Sequence, residues 1–169
     1  MRSVILALPL LFISVSSGHA DWQYTKWHQS FEDLSRVGDV EASDDEMQNA
    51  GNMVAPLKAR YSAAGIETTA YFYFDSNNME AGLVEVGLDV QDQDDCASVV
   101  GILDKSYGNP NSKSDFVKDQ VFFEFRVWRK VSSGDDVIFQ GLISPIVIGY
   151  VSCDVVYQPP GVPGAAGGF

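Results

Sequence analysis

The chain has 169 residues, carries a formal net charge of −12 at pH 7 and contains two cysteines. A length of this order suits a single domain with one hydrophobic core. Because nucleic acid and anionic lipid are negatively charged, so acidic a chain is a poor partner for either, and we expect it to bind neither.

The N-terminal segment has the layout of a secretory signal peptide. Arg2 is followed by an apolar run from Val4 to Val15, and the small residues Gly18 and Ala20 come after it. The run is shorter than the roughly 20 residues that a membrane-spanning helix needs. We therefore expect cleavage after Ala20, no stable membrane insertion of the mature chain, and a periplasmic or secreted location.

The first helix is predicted to begin at Ser30, a residue type that caps helix N-termini. Phe31 and Leu34 then fall three residues apart, which is the spacing of one buried helix side. The aromatic segment before this helix, Asp21–Trp27, alternates as a short strand would. The acidic segment after it, Asp39–Asp45, lacks the spaced carboxylates and turn glycine of a calcium loop, so we interpret it as solvated.

From Ala55 onward the pattern changes to the alternation of apolar and polar residues that is typical of strands. Three such runs precede the second helix: Leu57–Ile66, Glu67–Asp75 and Gly82–Val90. In the middle run, Phe72 and Phe74 take the core-facing positions, and Tyr71 and Tyr73 point the opposite way. We therefore predict that Tyr71 and Tyr73 are exposed and form an interaction surface, since aromatic residues are enriched at interfaces. The alternative is that both faces are buried and a loop or the tail covers the two tyrosines.

The second helix is predicted within Asp94–Pro110, where Gly108 and Pro110 end the pattern. Its buried side is marked by residues at helical spacing: Cys96, Val99, Val100, Leu103 and Tyr107. The next segment, Gly108–Lys118, is polar and is predicted as a loop. Three further strand-like runs follow: Val121–Lys130, Val137–Leu142 and Ile146–Tyr157.

These elements predict an α+β fold in the order α-βββ-α-βββ, with one antiparallel sheet and both helices packed on one of its faces. The short connections inside each strand triplet indicate antiparallel pairing, because parallel strands need long crossovers. The predicted organisation is a signal peptide over residues 1–20, a single domain over residues 21–157 and a disordered Pro/Gly-rich tail over residues 158–169.

Two cysteines in an exported chain are most simply one disulfide. Cys96 lies on the buried side of the predicted helix, and Cys153 shares the inward face of the last run with Val151 and Val155. We therefore predict a Cys96–Cys153 bond. The alternative, a redox-active or metal-binding thiol pair, lacks a Cys-x-x-Cys motif and a nearby histidine.

Several short motifs resemble those of small, uncharacterised exported bacterial proteins: Trp27 with Ser30–Leu34, Leu83–Leu88, Cys96 through Tyr107–Pro110, and Cys153. His28 stands where that group often has glycine. The tandem αβββ order is also similar to the fold of the β-lactamase-inhibitor protein and of an outer-membrane assembly lipoprotein. Known members of that fold are binding scaffolds, so the resemblance implies a binding role.

No catalytic, cofactor-binding or metal-binding motif is recognisable in the sequence. The acidic stretch Asp89–Asp95 is explained by its favourable position before a helix N-terminus. We therefore predict a non-enzymatic interaction domain of the cell envelope, with an envelope protein as its partner. The alternative is a small envelope hydrolase that uses His28, the one histidine after residue 20, together with distant residues.

Overall fold

The structure is a computed structural model that describes residues 23–43, 48–49, 52–118, 121–131, 133–144, 146 and 149–161. The predicted signal peptide over residues 1–20 lies outside the described residues, as does the predicted tail from residue 162 onward. Within the described part, no helix combines the length and apolar character that crossing a bilayer demands.

The described chain is built mainly of β-strands. Its elements are α1 (Phe31–Leu34), β1 (Glu41–Ala42), β2 (Gln48–Asn49), β3 (Met53–Ala63), β4 (Ile66–Asp75), β5 (Leu83–Val90), α2 (Cys96–Tyr107), β6 (Ser112–Lys118), β7 (Val121–Trp128), β8 (Asp136–Ile143) and β9 (Tyr150–Gln158). Single 3-10 turns over Met79–Ala81 and Gln93–Asp95 precede β5 and α2.

The described strands form one antiparallel sheet in the order β1-β3-β4-β5-β9-β8-β7-β6, with β2 also paired to β3. The β3–β4 hairpin shows how local sequence sets this pairing. Its two turn residues, Ala64 and Gly65, both have positive φ, at 54° and 84°. A two-residue turn of this kind matches the twist of the strands on either side and fixes their register.

The predicted α+β fold with two packed helices in the order α-βββ-α-βββ is wrong. Five strands, two of them very short, lie between the helices, and four strands follow α2. The helix α1 is a single turn, capped as predicted by Ser30, whose side-chain oxygen accepts the Asp33 backbone N–H at 3.1 Å. Only α2 is a helix of several turns, so strands dominate the described chain.

Two further predictions on individual segments are corrected. Residues 23–27 of the predicted strand Asp21–Trp27 form turns and irregular chain. The predicted loop Gly108–Lys118 instead contains β6, which pairs with β7 along its whole length. The other predicted strand runs and the limits of α2 correspond to observed elements within a few residues.

The largest cluster of buried apolar side chains joins α2 to the sheet. It includes Cys96, Val99, Val100 and Leu103 of α2, as predicted, together with residues of strands β3 to β5, β8 and β9. Trp128 is among its largest fully buried members, and its indole N–H donates to the Gly108 carbonyl at 2.9 Å. That bond holds the C-terminal end of α2 against β7.

Candidate functional site

The predicted disulfide between Cys96 and Cys153 is confirmed. It joins the first residue of α2 to β9, with the two Cα atoms 5.8 Å apart, and both residues are buried in the main cluster. Among the described residues there is no free cysteine. A buried bond of this kind is typical of proteins that work in an oxidising compartment and is compatible with a secreted or periplasmic location.

Tyr71 and Tyr73, the predicted interaction surface, are each only 8% exposed, so the prediction that they stand in solvent is wrong. Gly87 of β5 lies opposite Tyr71 of β4, and it has no side chain to fill the space above its backbone. The Tyr73 ring occupies that space, and a Cβ at Gly87 would lie 3.1 Å from it. Both tyrosines belong to a small apolar cluster with Ala55, and Met53 packs against this cluster.

Beside the tyrosines, Asp89 and Asp154 face each other directly across β5 and β9. By strand alternation with the core residue Val155, they lie on the sheet face that points away from α2. Burial, reinforced by the charges of Asp89 and Glu85, raises the pKa of Asp154 to about 7. Among the described residues, no group of three or more His, Cys, Asp or Glu is arranged to hold a metal ion.

His28, the predicted catalytic residue of the alternative hypothesis, is placed against backbone groups. Its ring nitrogen Nδ1 lies 3.0 Å from the Ala81 carbonyl, and its backbone N–H donates to the Leu83 carbonyl at 2.9 Å. Its own carbonyl oxygen would lie 2.3 Å from a Cβ at Gly82, which adopts a positive φ of 77°. These contacts give His28 a role in anchoring the loop before α1 to the start of β5.

A charged network occupies the α2-facing side of β7. The Arg126 side chain donates to Glu124 at 2.7 Å and to Asp104 of α2 at 3.1 Å. The Tyr150 hydroxyl donates to Glu124 at 2.6 Å, and Lys113 of β6 lies 3.3 Å from the same carboxylate. Burial alone would raise the pKa of Glu124, but these hydrogen bonds outweigh burial and lower it.

The strand β6 forms one end of the sheet. It pairs with β7 on one side, and no described strand lies along the other side of Ser112–Val117, which we name the open edge. Backbone N–H and C=O groups on such an edge can pair with an added strand. Every residue of β6 is exposed.

Exposed apolar side chains gather at the end of β6 and around the neighbouring connection. We name this set the apolar corner: the exposed Phe116, Val117, Phe122 and Ile146, together with the half-buried Ile143. Val117 is 57% exposed and Phe122 43%, and these two residues are direct neighbours across β6 and β7. Phe122 also pairs with Ile143 on β8, and both line a 370 Å³ cleft. Phe116 alternates with Val117 and lies on the opposite face, but the adjacent exposed side chains of Val117 and Phe122 form apolar surface of a kind that is typical of interaction sites.

The sequence interpretation missed both the open edge and most of the apolar corner. The β6 sequence SKSDFVK is polar on both faces, so it lacks the apolar-polar alternation by which strands are recognised. The adjacent Phe116 and Val117, an aromatic and a β-branched residue, are the one local signal that favours a strand.

No protein-family model matches the chain, and no curated protein or solved structure matches it. The resemblance to small exported bacterial proteins therefore stays a prediction, whereas the likeness to the inhibitor-protein fold was based on a tandem αβββ order that the structure does not have.

Proposed function

We propose that this chain is a non-enzymatic binding domain of the cell envelope, exported to the periplasm or secreted, which binds a polypeptide partner along β6. The observation that carries the proposal is the open edge ending in the apolar corner. An added strand satisfies the edge backbone groups and covers apolar side chains in the same step, which is how many domains bind extended peptides. The buried disulfide supports a site of action outside the reducing cytoplasm.

The alternative hydrolase function has no support from the position of His28. Its Nδ1 faces the Ala81 carbonyl, which leaves Nε2 for a base, but none of the hydrogen bonds described for His28 reaches a serine, a cysteine or a carboxylate.

A peptide selection tests the proposal. The purified, disulfide-bonded protein is used to select binders from a displayed library of random peptides, and affinities are measured by fluorescence anisotropy with synthetic peptides. We expect Val117→Ser and Phe122→Ser each to lower the affinity for the selected peptides by at least about tenfold, because each substitution removes apolar contact at the end of the open edge.

Met79→Ser is the matched control, since Met79 is a similarly exposed apolar residue in the turn before β5. It should leave the affinities unchanged. Peptides that bind Val117→Ser and Phe122→Ser as well as the original protein would refute the proposal, as would a selection that yields no binder from a protein that is monomeric.

A further inference from the structure

We propose that the polypeptide bound along β6 is β6 of a second copy of this chain, paired antiparallel so that Lys113 of each subunit lies opposite Asp115 of the other. This inference rests on the proposed function, because it names the partner of the open edge. It joins the two sheets into one continuous sheet across a two-fold axis.

The charges of β6 are poorly matched within the single chain. Asp115 lies directly opposite Glu124 on β7, and Lys113 lies directly opposite Arg126. Like charges in directly opposite positions destabilise a strand pair. Lys113 gains a diagonal ion pair with Glu124, at 3.3 Å. Asp115 thus has a like charge, Glu124, as its cross-strand neighbour within the chain. A cation beside Asp115 on the open edge would compensate this repulsion.

Symmetry restricts the registers that can supply this cation. A two-fold axis perpendicular to the sheet keeps each face continuous, so opposite residues must belong to the same face of β6. An axis at Asp115 or at Lys113 places like charges opposite each other. An axis at Phe116 places Asp115 opposite Val117. An axis at Ser114 places Lys113 opposite Asp115 twice, and it is the register that we infer.

The same register also fits the second face of the strand. It places Phe116 of each subunit opposite Ser112 of the other, and the two copies of Ser114 opposite each other. The Phe116 ring is already held in place, since it stacks on Phe123 with ring centroids 4.9 Å apart and on Phe125 at 5.6 Å. A ring fixed in advance loses little conformational entropy when a second strand covers it.

Sedimentation velocity of the purified, disulfide-bonded protein tests the inference through a charge exchange. We expect a concentration-dependent dimer for the original sequence. Lys113→Asp and Asp115→Lys should each raise the dimer dissociation constant by roughly tenfold or more, because each turns two opposite-charge pairs into like-charge pairs. The double variant carries the same pairs in reversed order and should restore the dimer.

Cysteine cross-linking tests the register independently of the charges. Directly opposite Cα atoms in an antiparallel pair lie roughly 4.5–5.5 Å apart, within the span of a disulfide. Ser114→Cys should therefore give a covalent dimer under mild oxidation. Ser112→Cys is the matched control on the same face of the strand, and its two copies would lie roughly 14 Å apart and stay uncrosslinked.

The outcomes separate this inference from the proposed function. A monomeric protein that still selects peptides dependent on Val117 and Phe122 overturns self-pairing and leaves the proposed function standing. A dimer that is indifferent to both charge variants, or that cross-links equally through Ser112→Cys, also overturns the inference, because it uses another surface or register. A monomer that selects no peptide overturns both.

Discussion

Replacing Asp154 with asparagine should stabilise the protein above neutral pH and make its stability less dependent on pH. Burial, together with the charges of Asp89 and Glu85, raises the pKa of Asp154 from its ordinary 3.8 to about 7. Between these two values the folded protein keeps a proton that the unfolded chain has released. Unfolding therefore releases a proton in this range, and the free energy of unfolding falls as the pH rises.

The size of the effect follows from the interval between the two pKa values. Each pH unit in that interval lowers the free energy of unfolding by about 1.4 kcal/mol. From about pH 5 to the folded-state pKa the loss amounts to at most about 2.7 kcal/mol, and it does not grow further at higher pH. Asp154 is only partly exposed, so solvent screening reduces this value modestly. Asparagine is neutral and of similar size, and it removes the whole pH-dependent component.

The assay is urea denaturation of the original protein and the Asp154→Asn variant at about pH 5 and about pH 8. The free energy of unfolding of the variant minus that of the original protein should be about 2 kcal/mol larger at the higher pH than at the lower one. Subtracting the original protein from the variant cancels the titration of groups that do not interact with Asp154, and Asp89 and Glu85 are the neighbouring carboxyl groups that are coupled to it.

Asp136→Asn is the control with the opposite sign. Burial alone would raise the pKa of Asp136. Hydrogen bonds from Arg129 and from the Lys130 backbone outweigh burial and lower this pKa below its ordinary value. The stability contributed by Asp136 is therefore present above its unfolded pKa and lost as the pH falls through the folded pKa. Its substitution should destabilise by about 3 kcal/mol, equally at both pH values. An Asp154→Asn difference that does not change between the two pH values would refute the reasoning.

Three further outcomes are expected in the same denaturation assay. Gly82→Ala should destabilise by at least about 3 kcal/mol, because its φ is 77° and the new Cβ would meet the His28 carbonyl oxygen at 2.3 Å. Gly101→Ala, within α2 and with open space around the new Cβ, should instead stabilise by about 0.5–1 kcal/mol. Similar effects of the two substitutions would contradict the packing described for Gly82. Reduction of the Cys96–Cys153 bond should cost about 4 kcal/mol for its long loop, and equal stability with and without reductant would contradict this.

Local patterning predicted the elements whose apolar residues recur with a regular period. The alternation in Gly82–Val90 and Val121–Lys130 appears as β5 and β7, and the helical spacing from Cys96 to Tyr107 appears as α2. The inward direction of both cysteines also followed from these two periods, so the disulfide could be predicted. Periodicity works in such elements because the side-chain direction repeats every 2 or every 3.6 residues.

Local patterning failed where burial depends on a neighbouring strand. The alternation in Glu67–Asp75 placed Tyr71 and Tyr73 on the face away from the core, and it correctly separated them from Phe72 and Phe74. Whether that face is wet depends on Gly87, which lies opposite Tyr71 and leaves room for the Tyr73 ring. The strand pattern of Tyr71 and Tyr73 carries no information about this neighbour on β5.

The candidate site was missed for a related reason. An edge strand such as β6 is wet on both faces, so its sequence resembles that of a loop, and its pairing with β7 is decided by backbone hydrogen bonds. The amino-acid sequence by itself determined the main helix, most of the long strands, the disulfide and the acidic charge. Only the tertiary structure decided the strand order, the burial of Tyr71 and Tyr73 and the open edge of β6, because each of these depends on which strands become neighbours.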